Sequence, residues 1–140
     1  MPETFVLDAS VAAKWVLPEP DGASAVRLFD RYAAGEISLI APDLLLAEVA
    51  SLLAKRHRRK QISAEQAREA SGLMTDAAPK LFDTGLRLHR ALDLSLRYRM
   101  SLRDCLYLAL AIEHDCPFLT ADRRLFRAGA ARHPALRSIQ

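Results

Sequence analysis

Phe5-Val6-Leu7 is a continuous apolar run that stops at a carboxylate, Asp8, after which Ser10 opens a helical pattern from Val11 to Leu17. A short run with no polar face makes a strand buried on both sides, and such a strand needs helices packed above and below it. The same alternation continues down the chain. A turn cluster, Pro18 to Gly22, leads into a helix from Ala23 to Ala34 that ends at Gly35. Glu36 to Ala41 reads as a second strand stopped by Pro42, with Asp43 as N-cap of a helix from Leu44 to Arg59. Ser63 and Gln66 have capping-box spacing and open a helix to Ala77. Lys80 to Asp83 is a weak third strand. Gly85 to Tyr98 reads as a helix with Leu86, His89, Leu92 and Leu96 on one face, and Leu102 to His114 as the most apolar helix. Phe118 to Thr120 is a fourth strand opening onto Asp122 and a helix to Ala131, and Leu136 to Ile139 a short fifth. Strands separated by helices predict an α/β fold, a three-layer α/β/α sandwich with a short, mainly parallel sheet. With no repeat or linker, residues 1–140 are expected to form a single domain.

Composition narrows the chemistry. Hydrophobic residues make up 51% and charged residues 26%, which suits an ordinary folded domain and not a disordered chain. No apolar run is long enough for a bilayer span and the N-terminus lacks a secretory pattern, so a cytoplasmic protein without membrane association is expected. Cys105 and Cys116 form no C-x-x-C pair, and the four histidines lack zinc-site spacing. A metal here would have to prefer oxygen. The net charge of +3 is unevenly spread: residues 87–140 carry ten arginines, no lysine and five acids. Guanidinium groups pair with phosphate as a fork, although an arginine-rich genome produces the same skew.

Four acids stand in unusual places. Asp8 and Asp122 each follow a buried strand, and carboxyl ends of parallel strands lie on one edge, where open α/β sheets gather ligands. Glu48 sits inside the apolar stretch Leu44 to Ala54, where a carboxylate is costly to bury unless it is paired or holds a metal. Asp104 begins the most apolar helix. Capping explains Asp8, Asp104 and Asp122 one at a time, and an arginine partner would explain Glu48. Together in one pocket they could not all stay ionised. Like charges ~4 Å apart repel by about 4 kcal/mol at an effective dielectric of about 20. Either some protonate or a divalent ion joins them, and an all-oxygen set favours Mg²⁺ or Mn²⁺. Such a site supports phosphodiester hydrolysis.

The segments FVLDAS at 5–10 with Lys14 and Trp15, APDLLLAEVASLL at 41–53, SLRDCLYLALA at 101–111 and FLTAD at 118–122 resemble the PIN domain. More narrowly they are similar to the VapC toxins of bacterial toxin–antitoxin pairs. The resemblance implies a Mg²⁺- or Mn²⁺-dependent endoribonuclease, silenced by a VapB-like antitoxin and commonly homodimeric as well as bound in a toxin–antitoxin hetero-oligomer. It makes Asp8, Glu48, Asp104 and Asp122 the catalytic acids and Ser10 and Thr120 their polar supports. Some relatives carry a further acid after the position of Asp122, where this chain has Arg123 and Arg124, so one metal ion is expected.

The expected division of labour gives Asp8, Asp104 and Asp122 to the metal, directly or through water. Glu48, its affinity for protons raised by apolar surroundings, would orient or deprotonate the attacking water. Candidates for RNA contact are Lys55, Arg56, Arg58 and Arg59 at one helix end, together with Arg103, Arg123, Arg124 and Arg127. The helix-end group equally complements the helix dipole. A PIN-type nuclease acting on DNA or in RNA processing, or a catalytically idle binding module, are the alternatives. A phosphorylation-controlled receiver is disfavoured, because Asp8 has no adjacent acid and no lysine follows Lys80.

Overall fold

β1 (Glu3–Leu7) lies in the middle of the sheet, and this is why its sequence has no polar face: Val6 and Leu7 are completely inaccessible. In the computed structural model, residues 2–17, 19–129 and 135–139 are described. Around β1 stand β2 (Ile37–Pro42), β3 (Lys80–Phe82), β4 (Phe118–Thr120) and β5 (Leu136–Ser138), in the order β3-β2-β1-β4-β5. Every neighbouring pair is parallel. All five carboxyl ends therefore share one edge. The β1–β4 register pairs Val6 with Phe118 and Leu7 with Leu119, so Asp8 leaves β1 beside Thr120.

The connecting helices are α1 (Ala9–Val16), α2 (Ala23–Ala33), α3 (Leu45–Arg58), α4 (Ala64–Ala77), α5 (Leu88–Tyr98), α6 (Leu102–Glu113) and α7 (Arg123–Gly129). α6 packs on β1, β2 and β4, which accounts for the unbroken burial of Cys105 to Ala111. α1 lies against β4 and α2 against β2, α4 rests on α1 and α3, and α5 rests on α6. The expected α/β/α sandwich with a parallel sheet is what the chain forms. No helix among the described residues is long and apolar enough to cross a membrane.

Three local expectations change. Asp43 caps no helix; its Oδ1 accepts from the backbone amide and hydroxyl of Thr84, tying the end of β2 to the turn after β3. The helix expected from Gly85 begins as a 3₁₀ turn, Gly85–Arg87, and its core face is the other one. Ala91 and Leu94 are buried, whereas Leu86 is 81% and Leu96 72% exposed. The C-terminal limit proposed for α7, residues 130–131, lies outside the described residues, as does Pro18 of the turn cluster.

One ion network ties α1 and the loop after it to α3. Lys14 donates to Glu19 Oε2 (2.8 Å) and Asp21 Oδ1 (2.9 Å), and Arg56 of α3 pairs with the other Glu19 oxygen. Burial disfavours the Glu19 charge, and the bonds from Lys14 and Arg56 outweigh it, leaving the carboxyl below its ordinary range. Stability from a depressed carboxyl is present above its unfolded value and lost as pH falls through the folded one. Glu19→Gln is therefore expected to lower unfolding stability by about 1–2 kcal/mol at neutral pH. In urea titrations the gap to the parent should close at acid pH; a constant gap would mean that the ion network contributes nothing.

Candidate active site

Asp8 is only 7% exposed, at the carboxyl end of the central strand. Its amide donates to the Leu119 carbonyl (3.3 Å), and its Oδ2 accepts from Ser10 Oγ (2.8 Å) and Thr120 Oγ1 (2.7 Å). Ser10 Oγ accepts in turn from the Ala121 amide (3.1 Å), and Thr120 Oγ1 from the Asp122 amide (3.0 Å). Ser10 and Thr120 thus stitch the ends of β1 and β4 together around one carboxylate oxygen.

Asp122 sits at the start of α7, where Oδ1 accepts from the amides of Arg124 (2.9 Å) and Leu125 (3.1 Å). Capping and a place in the cleft coexist here. Asp104 lies one turn into α6; its amide donates to Ser101 Oγ (3.1 Å), and the same hydroxyl donates to Asp104 Oδ2 (2.8 Å). Glu48 enters from α3. Tyr107 Oη donates to its Oε1 (2.5 Å), and Arg103 forms an ion pair with its Oε2, Nε lying 2.9 Å away.

These four acids line one cleft of about 470 Å³, with Ser51, Leu52, Lys55 and Arg58 on the α3 wall and Arg103 at the mouth. Helical geometry explains that wall, since positions three, four, seven and ten after Glu48 recur on or near its face. Their fields overlap as well. Burial raises Asp8, against the two hydroxyls, and the Asp104 charge adds to the rise. Burial likewise raises Asp104, with Asp122 adding repulsion against the pull of Ser101 and Arg103. Glu48 is pushed up to about 7, mainly by burial, with Asp8 and Asp104 adding to what Tyr107 and Arg103 oppose. Three carboxyls that resist ionisation mark a place where a cation would be welcome.

The donor set is oxygen only, which fits a hard divalent ion. Among the described residues no three metal-ligating side chains stand close enough to enclose an ion as they are placed. Mg²⁺ tolerates this, because it keeps several waters and is usually gripped by one or two carboxylates.

The basic candidates divide. Lys55, Arg58 and Arg103 line the cleft, whereas Arg56 turns away to Glu19. Arg59 is the exposed C-cap of α3, and Arg124 and Arg127 are exposed on α7 outside the cleft lining. The Arg123 side chain lies outside the described residues. Tyr107 was not singled out by the sequence, where it reads as one more residue of an apolar run. Its spacing of three from Asp104 on α6, which sets it on the same helix face, was the available signal.

The PIN domain profile matches residues 5–131. Ribonuclease VapC1 of Mycobacterium tuberculosis (strain CDC 1551 / Oshkosh) is 40% identical over 110 residues, 76% of this chain and 78% of that relative. The same protein from strain ATCC 25618 / H37Rv matches equally. Among solved structures, PAE2754 from Pyrobaculum aerophilum superposes with a TM-score of 0.71 at 16% identity, covering 99% of this chain and 92% of that one. VapBC2 from Rickettsia felis, bound to a DNA fragment from its promoter, gives 0.61 at 14% identity, covering 96% and 98%. At those identities the two structures speak for the fold.

Proposed function

This chain belongs to the PIN-domain family, and from that premise we propose that it is a metal-dependent endoribonuclease, the VapC-like toxin of a toxin–antitoxin pair. The observation that carries the reading is the convergence of Asp8, Glu48, Asp104 and Asp122 on one cleft whose α3 wall continues into Lys55 and Arg58. The 40% identity to a ribonuclease VapC1 supports RNA as substrate, and the likeness to a VapBC complex supports a VapB-like antitoxin as partner. In this reading the protein works in the cytoplasm as one domain spanning residues 1–140. It forms homodimers, and hetero-oligomers with the antitoxin.

Asp8, Asp104 and Asp122 would hold Mg²⁺ or Mn²⁺, directly or through water. A bound ion of this kind supplies Lewis acidity, easing ionisation of water and neutralising charge on the phosphate. Glu48 takes the proton from the attacking water, and a group with a proton affinity near neutrality is suited to that. Tyr107 keeps its carboxyl turned into the cleft. Lys55 and Arg58 seat the RNA backbone, with Arg124 and Arg127 as outlying contacts.

Purified protein freed of any antitoxin is expected to cut single-stranded RNA with Mn²⁺ and to stop on chelation. Offered duplex DNA in the same reaction, it should leave the DNA whole. Preferential DNA cleavage would transfer the assignment to a DNA-acting PIN nuclease, and no cleavage of either would leave a binding module.

A further inference from the structure

Arg103 is placed oddly for a structural ion pair. Its side chain is 65% exposed, yet the carboxylate it holds, Glu48, is only 13% exposed and faces the cleft. The contact is an ion pair closest at Nε, and no hydrogen bond from the two Nη groups is found among the described residues. Glu48 does not depend on Arg103 for its position. Its other oxygen is fixed by Tyr107, whose ring is fully buried and stacked on Phe118 (centroids 5.5 Å apart, planes 11°). Removing Arg103 would therefore leave Glu48 where it is, with one oxygen released.

We propose that Arg103 exchanges partners during binding: it holds Glu48 in the RNA-free protein and transfers to a backbone phosphate when RNA enters, uncovering the Glu48 oxygen. The exchange is favourable on chemical grounds. A phosphate presents two oxygens to the guanidinium fork, whereas Glu48 gives one oxygen to Tyr107 and meets Arg103 through the other as a simple ion pair. While on Glu48, the guanidinium also places a positive charge at the mouth of an acidic cleft and opposes entry of any other cation. Arg103 thus couples substrate to metal: RNA relieves a self-imposed block. The inference rests on the reading of this cleft as a nuclease site.

The test reads metal and RNA separately. Mn²⁺ binding is titrated calorimetrically without RNA, and binding of a short single-stranded RNA is followed by fluorescence anisotropy in chelator across a salt series. Arg103→Ala is expected to bind Mn²⁺ about tenfold more tightly, since a competing charge has gone. The same variant should bind RNA about fivefold more weakly, with a salt slope smaller by about 0.7, the loss of one phosphate contact on a single strand. Arg103→Lys, which keeps the charge and loses the fork, should match the parent for Mn²⁺ and fall between the two for RNA. If Arg103→Ala leaves Mn²⁺ affinity unchanged or weaker, or leaves RNA affinity unchanged, the exchange is refuted. A parent protein that binds neither Mn²⁺ nor RNA overturns the nuclease reading and the exchange with it. A parent that binds both while the variant alters neither overturns the exchange alone.

Discussion

Asp8→Asn is expected to reduce metal-dependent RNA cleavage at least 100-fold, to about background, while leaving the metal-free protein as stable as the parent or more so. Both halves follow from where Asp8 stands. Its side chain is almost wholly buried and already accepts two hydroxyl bonds on one oxygen, and an asparagine carbonyl can accept the same two. The fold keeps its stitching between β1 and β4. What disappears is a buried negative charge next to that of Asp104. Burial raises the Asp8 carboxyl, so the folded chain binds its proton more tightly than the unfolded chain does. Stability of the parent accordingly declines as pH rises above the unfolded value, and the variant escapes that decline. In chelator, the melting temperature of Asp8→Asn should match the parent at acid pH and exceed it at neutral pH. Added Mn²⁺ should stabilise the parent and not the variant, since binding to the native state alone shifts unfolding. A variant that cleaves at the parental rate would remove Asp8 from the site.

How far the residues announce this arrangement depends on which neighbours decide each position. Asp8 and Asp122 were legible because parallel strands bring their carboxyl ends to one edge, whatever else the chain does. Glu48 was legible because its own flanking residues are apolar, and burial indeed raises it. Arg56 was not. It and Arg58 lie about 80° to either side of Glu48 around α3, so helical periodicity treats them alike. Only the loop carrying Glu19 decides that Arg56 is claimed and Arg58 stays in the cleft. The buried face of α5 departs from its hydrophobic pattern for a related reason. Leu92 and Leu96 outweigh Ala91 in hydrophobicity, but helix approach depends on the side chains at the contact, and in α5, which rests on α6, the small Ala91 is buried together with Leu94. Local pattern fixes what a residue needs; the partner that satisfies it comes from elsewhere in the chain.

Glu48→Gln should produce the second large change, and its signature is in pH. The carboxyl is pushed up to about 7 from an ordinary 4.5. If it takes the proton in catalysis, the parental cleavage rate climbs with pH as the carboxyl ionises and then levels, at a pH below about 7 because a bound cation favours the ionised form. The amide of the variant cannot take a proton, so the rate is expected to fall about 10²–10⁴-fold and to lose that rising limb. The stability consequence runs the other way. A raised carboxyl means that the fold prefers the protonated form, so stability is lost between about pH 4.5 and about 7 as the group is forced to ionise, roughly 3 kcal/mol in all. The variant has no such slope. Its amide oxygen can still accept from Tyr107, and the mostly exposed Arg103 loses its partner at little expense. Urea titrations of chelated protein at about pH 4 and about pH 8, on either side of that window, should therefore find the two proteins similar at the lower pH and the variant ahead at the higher. Parallel behaviour at both would show that Glu48 ionises freely in the fold, and a proton acceptor tuned to neutrality would have to be sought among the other three acids.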